Sequence, residues 1–175
     1  MIVKYFSQLK STNLKGKELA KKGVRPWTVI VAEKQTSGHG KEGIYWHSPK
    51  GGLYFSIILP KSEIEDLQTL TILAAFVVAK TIKENYPLEV LIKLPNDVLI
   101  GKRKIAGILT ENIIGKDVKL SVMGIGLNTN IARFPKNLEK KATSLRIELG
   151  ERIDNKKILE KILKGIKEQL AIIGK

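Results

Sequence analysis

The chain of 175 residues carries no cysteine, which excludes disulfides, thiolate metal sites and a thiol nucleophile. Its two histidines, His39 and His47, are too few for a histidine-rich zinc site. The formal charge of +14 points to a polyanionic partner (nucleic acid, nucleotide phosphate, an acidic protein or a membrane surface), although a lysine-rich thermophile surface accounts for it equally well.

A hydrophobic share of 43% with 27% charged residues is that of a soluble globular protein, and the length predicts one domain over residues 1–175. Lys4 and Lys10 interrupt any signal peptide, and the longest apolar run, Leu70–Ala79, is too short to span a bilayer. The expected compartment is the cytoplasm, with no membrane partner.

Ile2–Phe6 reads as a short strand. Ser11-Thr12-Asn13 offers an N-cap for a basic amphipathic helix from Leu14 to Lys22, stopped at Gly23. Trp27–Ala32 is a continuous apolar run, predicted as a buried strand. Gly38, Gly40 and Gly43 then give Gly-x-Gly-x-x-Gly. A dinucleotide site needs a helix opening at Gly43, and Tyr45-Trp46-His47-Ser48-Pro49 does not supply one. The loop is left as an anion-nesting backbone or a surface turn.

Leu53–Leu59 is the next predicted strand. Ser62-Glu63-Ile64-Glu65 forms a capping box for a helix ending before Pro87. Its apolar residues, from Leu67 to Phe76, Val77 and Ile82, cover enough of its girth to predict burial on more than one side. Leu88–Lys93 reads as a strand leading into a hairpin from Lys93 to Leu109, with Gly101-Lys102-Arg103 at its tip. Pro95 interrupts the ladder and sets Asn96 and Asp97 at a corner, while Lys104 opens the return strand beside Ala106-Gly107. Carboxylate, amide and ammonium gathered over small residues suit a nucleotide and its metal; a solvated hairpin tip is the simpler alternative.

Val118–Asn128 reads as a strand whose Gly124 and Gly126 predict close approach of backbone or ligand. Arg133–Glu139 reads as a loop and Ala142-Thr143-Ser144-Leu145 as a second capped start. Asp154 caps a last helix to Ile173, with a core-facing stripe at 158, 162, 163, 166, 170 and 173.

In order, the chain carries Ser11-Thr12-Asn13, Ala32-Glu33-x-Gln35-x-x-Gly38-x-Gly40, Trp46-x-Ser48-Pro49 and Gly52-Leu53-Tyr54-x-Ser56. Lys93-x-Pro95-Asn96-Asp97, Arg103-Lys104-Ile105-Ala106-Gly107-Ile108-Leu109-x-Glu111, Gly124-Ile125-Gly126-Leu127-Asn128 and Ala142-Thr143-Ser144-Leu145 follow. This series resembles the catalytic domain of biotin protein ligases. The resemblance implies an α+β fold of the class II synthetase-like type, with a central mixed or antiparallel sheet flanked by helices. It implies ATP-dependent ligation of biotin to a lysine of a biotin carboxyl carrier protein, through biotinyl-5'-AMP and with Mg²⁺.

Residue by residue, Lys104 resembles the lysine that contacts the carboxylate and α-phosphate, and Asp97 a carboxylate associated with metal and phosphates. Ser11, Thr12 and Gln35 resemble the groups around biotin's ureido head; Gly107, Ile108, Leu109, Gly124 and Gly126 resemble the lining of the biotin slot. Gly38, His39, Gly40 and Lys41 belong to the loop over biotin and adenylate, which implies Gly38 and His39 on biotin, Gly40 on ATP and Lys41 beside Lys104 and Asp97 as a catalytic residue. Trp46 resembles an indole packed on the nucleotide, and Asn96 and Asn128 resemble adenine contacts. The family loop Gly-Arg-Gly-Arg-x-Gly-Arg reads Gly38-His39-Gly40-Lys41-Glu42-Gly43-Ile44 here, so Lys41 keeps a charge without a bidentate fork.

The resemblance further implies neither an N-terminal DNA-binding domain nor a C-terminal β-barrel within these residues, and it admits a homodimer. Two alternatives stay beside the ligase: a degenerate biotin- or adenylate-binding module needing a partner subunit, and a lipoate ligase-like acyl transferase. The Arg-Arg-x-Ser-Gly-Gly-Gly loop of the latter is missing, and Gln35-x-x-Gly38 points to biotin. A nucleic-acid binder rests on charge alone.

Overall fold

The computed structural model describes residues 1–60, 66–115 and 118–173. Its strands are β1 (Ile2–Phe6), β2 (Thr28–Ala32), β3 (Leu53–Leu59), β4 (Val90–Lys93), β5 (Asp97–Ile100), β6 (Arg103–Gly115) and β7 (Val118–Leu127). Its helices are α1 (Thr12–Lys21), α2 (Leu67–Asn85), α3 (Leu145–Leu149) and α4 (Asn155–Ile173). The strands form one sheet in the order β1-β2-β3-β7-β6-β5-β4, parallel between β1 and β2 and antiparallel elsewhere. This is the mixed α+β sheet expected from the sequence. Among the described residues no helix is long and apolar enough to cross a membrane.

Strand alternation sends two different sets of side chains to the two faces. Phe55 and Ile57 of β3, Ile108 of β6 and Met123 and Ile125 of β7 pack with α2 and α4 into the main core. On the opposite face, Ile30, Ile58, Val122 and Ile113 pack with Ala20 of α1. That second face is shallow where the register aligns Tyr54, Gly126 and Gly107 in one row and Ser56, Gly124 and Leu109 in the next. Small residues there keep the sheet surface low, and a hollow opens beside the start of α1.

Several boundaries shift from expectation. Asp66 caps α2, its carboxylate accepting from the amides of Gln68 and Thr69 at 3.0 Å each, whereas Ser62–Glu65 lie outside the described residues. Within α2, Phe76 is 47% exposed, because the sheet and α4 cover two sides of the helix and leave a third to solvent. In α4 the stripe holds through Ile166, but Ile173 is exposed at the frayed end. Pro95 breaks the ladder only locally, and Lys93 pairs again with Asp97 across the turn 94–96.

β5 and β6 form the expected hairpin, but with a bulge. Val98 pairs with Ala106 and Leu99 with Lys104, so Ile105 is one extra residue on β6. Ile105 and Ala106 consequently both enter the core.

Candidate active site

A cleft of about 390 Å³ lies over the glycine-lined part of the sheet, between the start of α1, residues 39–47 and residues 134–142. The glycines make room for protein groups as well as for a ligand. A Cβ at Gly124 would collide with the Asn13 amide, and one at Gly126 with the Trp46 indole. At Gly107 it would lie 3.1 Å from both Lys104 Cε and Trp46 Cζ3. All three glycines face the cleft, as predicted, and Leu109 lines it beside Gly124.

At one end stand Lys104, Asp97 and Trp46. Lys104 Nζ is 2.5 Å from Asp97 Oδ1 and 5.1 Å from the centre of the Trp46 ring system. The Lys104–Asp97 contact is an ion pair whose angles fall short of a hydrogen bond, so Asp97 Oδ1 has no hydrogen-bond partner. The Lys104 backbone is clamped from both sides: its amide donates to Lys141 O at 2.8 Å, and its carbonyl accepts from Thr143 N at 3.0 Å. Asn128 Nδ2 donates to Thr143 O at 3.0 Å, fixing the buried amide with Oδ1 unpartnered. Trp46 Nε1 is buried without a partner too. Asn96 borders the same end and accepts from Ile108 N through its backbone carbonyl at 2.9 Å. Buried polar atoms without partners are costly, so an open acceptor on Asn128 and an open donor on Trp46 in one cleft are groups shaped for a ligand.

The other end is neutral and almost fully paired. Ser11 caps α1, with Leu14 N reaching its hydroxyl at 3.4 Å, and the same residue lines the cleft. Thr12 N donates to Gln35 Oε1 at 2.8 Å, and Gln35 Nε2 donates to Ser48 Oγ at 3.0 Å. Ser56 Oγ lies 2.7 Å from Thr12 Oγ1 and 2.6 Å from Asn13 Oδ1. Asn13 Nδ2 donates to Leu109 O at 3.2 Å and to Glu111 Oε2 at 2.8 Å, and Lys17 Nζ stands 2.5 Å from Glu111 Oε1. Such a network holds side chains in single orientations, as a binding surface requires.

Residues 38–46 close over the cleft as a small hairpin. Gly40 N donates to Ile44 O at 2.7 Å and Trp46 N to Gly38 O at 2.9 Å, with His39 bridged to Tyr45. No helix opens at Gly43; residues 41–43 form a tight turn instead. Gly38 departs from expectation. It lies behind the cleft, where a Cβ would meet Ser48 Oγ, Gln35 Nε2 and Trp46 O, so it serves packing. Lys41, grouped by sequence with Lys104 and Asp97, lines the same cleft from the hairpin tip, its side chain 67% exposed and 3.8 Å from Glu42. His39 and Gly40 line the cleft. His47 lines it as well, its ring 6.1 Å from that of Phe134, and burial pushes its pKa below the ordinary histidine value.

Among the described residues no group of three or more His, Cys, Asp or Glu is arranged to hold a metal ion. Asp97 is the carboxylate at the Lys104 end. One carboxylate combined with substrate phosphates matches the sparse protein coordination that Mg²⁺ tolerates. The sequence missed Phe134, Leu138, Lys141 and Ala142 as lining residues, since nothing in an irregular stretch reveals where it folds back. Ser48 and Ser56 stood inside the quoted motifs without roles, and Lys17 had no motif to mark it.

The model of the biotin/lipoate A/B protein ligase family matches residues 5–128. The bifunctional ligase/repressor BirA of Bacillus subtilis (strain 168) is 40% identical over 164 residues, 91% of this chain and 50% of that protein. The biotin acetyl-CoA-carboxylase ligase of Paracoccus denitrificans is 31% identical over 157 residues, 86% of this chain and 65% of that protein. The chain thus spans about half the length of the BirA relatives it matches. Among solved structures, the biotin protein ligase of Aquifex aeolicus in complex with biotin and ATP matches with a TM-score of 0.90 at 34% identity, covering 99% of this chain and 72% of that one. A family match over most of the chain, joined to a shared fold, leads to one conclusion: the chain belongs to the biotin/lipoate A/B protein ligase family.

Proposed function

We propose that this chain activates biotin with ATP as biotinyl-5'-AMP and transfers the biotinyl group to a lysine of a biotin carboxyl carrier protein. The observation that carries this is the division of one cleft. A neutral, pre-paired polar end at Thr12 and Gln35 suits a cyclic urea, and a glycine floor suits an apolar ring and chain. The far end concentrates Lys104, Asp97 and the unpartnered Trp46 and Asn128 atoms, which suits a nucleotide.

In the first step a carboxylate oxygen of biotin forms a bond to the α-phosphorus as the bond to pyrophosphate breaks. Two anions must approach, so the chief requirement is a fixed positive charge where they meet. Lys104 supplies it, with its backbone clamped on both sides and its ammonium turned into the cleft by Asp97. Asp97 is also the residue that would hold Mg²⁺ with the ATP phosphates, and the ion would supply further charge neutralisation there. In the second step the carrier amine attacks the acyl carbon, the anhydride C–O bond breaks and AMP departs. Neither step uses a protein nucleophile, consistent with a chain without cysteine.

We read residues 1–175 as one catalytic domain that acts in the cytoplasm. The outer strand β1, with Ile2 54% and Tyr5 63% exposed, offers an edge on which a second copy would pair. The exposed tip at Lys41 and the Ile44 substitution in the loop favour the second reading, a binding module without catalysis. Biotin-dependent exchange of labelled pyrophosphate into ATP separates the two. Exchange by the purified chain supports the ligase; biotin binding without exchange supports the module.

A further inference from the structure

We infer that Glu111, paired with Lys17, sets the hydrogen-bond polarity of the neutral end of the cleft, so that Thr12 Oγ1 faces a bound ligand as an acceptor for its N–H; this rests on the biotin reading above.

The chain of contacts runs from the outside inwards. Lys17 on α1 pairs with Glu111 on β6, the two side chains being 27% and 24% exposed. Glu111 meets Asn13, Asn13 meets Ser56, and Ser56 meets Thr12, which borders the cleft. Asn13, Ser56 and Thr12 are buried, so no solvent competes for their protons.

Proton counting then fixes every direction. A carboxylate and a backbone carbonyl only accept, so both Asn13 Nδ2 protons are committed to Glu111 Oε2 and Leu109 O. Asn13 Oδ1 must therefore face Ser56, and being an acceptor it takes the single Ser56 hydroxyl proton across 2.6 Å. Ser56 Oγ has then only lone pairs to offer Thr12 Oγ1, 2.7 Å away. Two lone pairs at that distance repel, so the Thr12 proton turns to Ser56 and leaves its longer 3.2 Å contact with Gln35 Oε1. Thr12 Oγ1 is left with free lone pairs. Gln35 Oε1 is itself occupied by Thr12 N, so the Gln35 amide cannot turn over to compensate.

A cyclic urea brings N–H groups and is matched by this polarity, whereas a head group without N–H leaves a buried acceptor unpaired. Glu111 is thus a positioning residue that acts through Asn13 and Ser56. Lys17 pairs with the other Glu111 oxygen, and because an ammonium only donates, it decides which end of an amide placed at 111 would face Asn13.

The test is a cycle of Glu111→Gln, Lys17→Met and the double variant, with biotin and ATP affinities measured separately by calorimetry and folding checked by thermal melting. In Glu111→Gln, Lys17 draws the amide oxygen of the introduced glutamine, whose NH₂ then opposes the Asn13 NH₂. Asn13 turns over, setting its Oδ1 against Leu109 O, and the relay reverses so that Ser56 donates to Thr12 Oγ1 and occupies a lone pair that the ligand N–H uses, while the Thr12 proton returns to Gln35 Oε1. Biotin affinity is expected to fall roughly tenfold or more with ATP affinity unchanged. Lys17→Met alone leaves the carboxylate accepting and changes biotin affinity little. The double variant frees the glutamine to present its oxygen to Asn13, and biotin affinity returns towards that of the unmutated chain. Ser56→Ala cuts the relay one link further in and is expected to lose biotin affinity selectively, which keeps the test open if Glu111→Gln does not fold.

Parallel loss of biotin and ATP binding, no change in Glu111→Gln, or a double variant as weak as Glu111→Gln overturns the inference while leaving the ligase reading intact. Absence of biotin binding by the unmutated chain overturns both.

Discussion

Trp46 occupies the space that Gly126 leaves by having no side chain; a Cβ at 126 would fall on the indole Nε1 and Cε2. The two residues come from a hairpin and from β7, so the fit joins the cover of the cleft to its floor. Gly126→Ala is expected to push Trp46 out of its seat, at a cost of about 1–3 kcal/mol for overpacking, and to weaken ATP binding. Tryptophan fluorescence in a Trp27→Phe background reports the displacement directly, and an unchanged spectrum with unchanged ATP affinity would refute it.

Lys104→Ala removes the ammonium beside Asp97 and leaves the backbone clamp to Lys141 and Thr143 in place. Pyrophosphate exchange is expected to drop by roughly 10²-fold or more, with stability changed by about 1 kcal/mol or less. Near-normal exchange would remove Lys104 from its proposed role.

Asn128→Ala deletes the buried donor to Thr143 O, so the cost is expected in stability as well as activity. Losing it leaves a buried carbonyl unpaired, worth roughly 1–3 kcal/mol in urea unfolding. The segment at 141–143 also holds Lys104, so exchange should fall together with stability.

His47 sets a pH dependence. Burial lowers its pKa in the folded chain below the ordinary value of 6.5, so between the two values the unfolded chain binds more protons. Stability is therefore expected to decline as pH falls through 6.5 and to level off below the folded pKa. His47→Gln should flatten that slope, and the His47 ring signals in NMR should titrate below pH 6.5.

Much of the fold was legible because strand and helix signals are local. The strand at 2–6 matches its expected bounds, and the floor glycines were flagged by the oddity of glycine inside a strand. What escaped depends on distant partners. Gly38 reads as a loop glycine until Ser48 and Gln35 pack against it, and the exposure of Lys41 at the rim of the cleft depends on the hairpin that carries it there. Lys17 read as one more lysine on a basic helix; only the approach of β6 gives it a partner in Glu111. The bulge at Ile105 was hidden too, since nothing in Arg-Lys-Ile-Ala-Gly marks which residue will be extra.

That single extra residue governs which changes the site can survive. In an unbroken strand, positions 104 and 107 point to opposite sides of the sheet; the bulge brings Lys104 and Gly107 to the same side, over the cleft. Substitution at Ile105 alters packing but keeps this phase, and deletion of that one codon leaves the lysine two positions from the glycine, on the same side of a regular strand. What the extra residue adds is a second consecutive inward side chain, since Ile105 and Ala106 both enter the core. A homologue aligned here with a one-residue gap therefore keeps its ammonium over the cleft and gives up core volume instead.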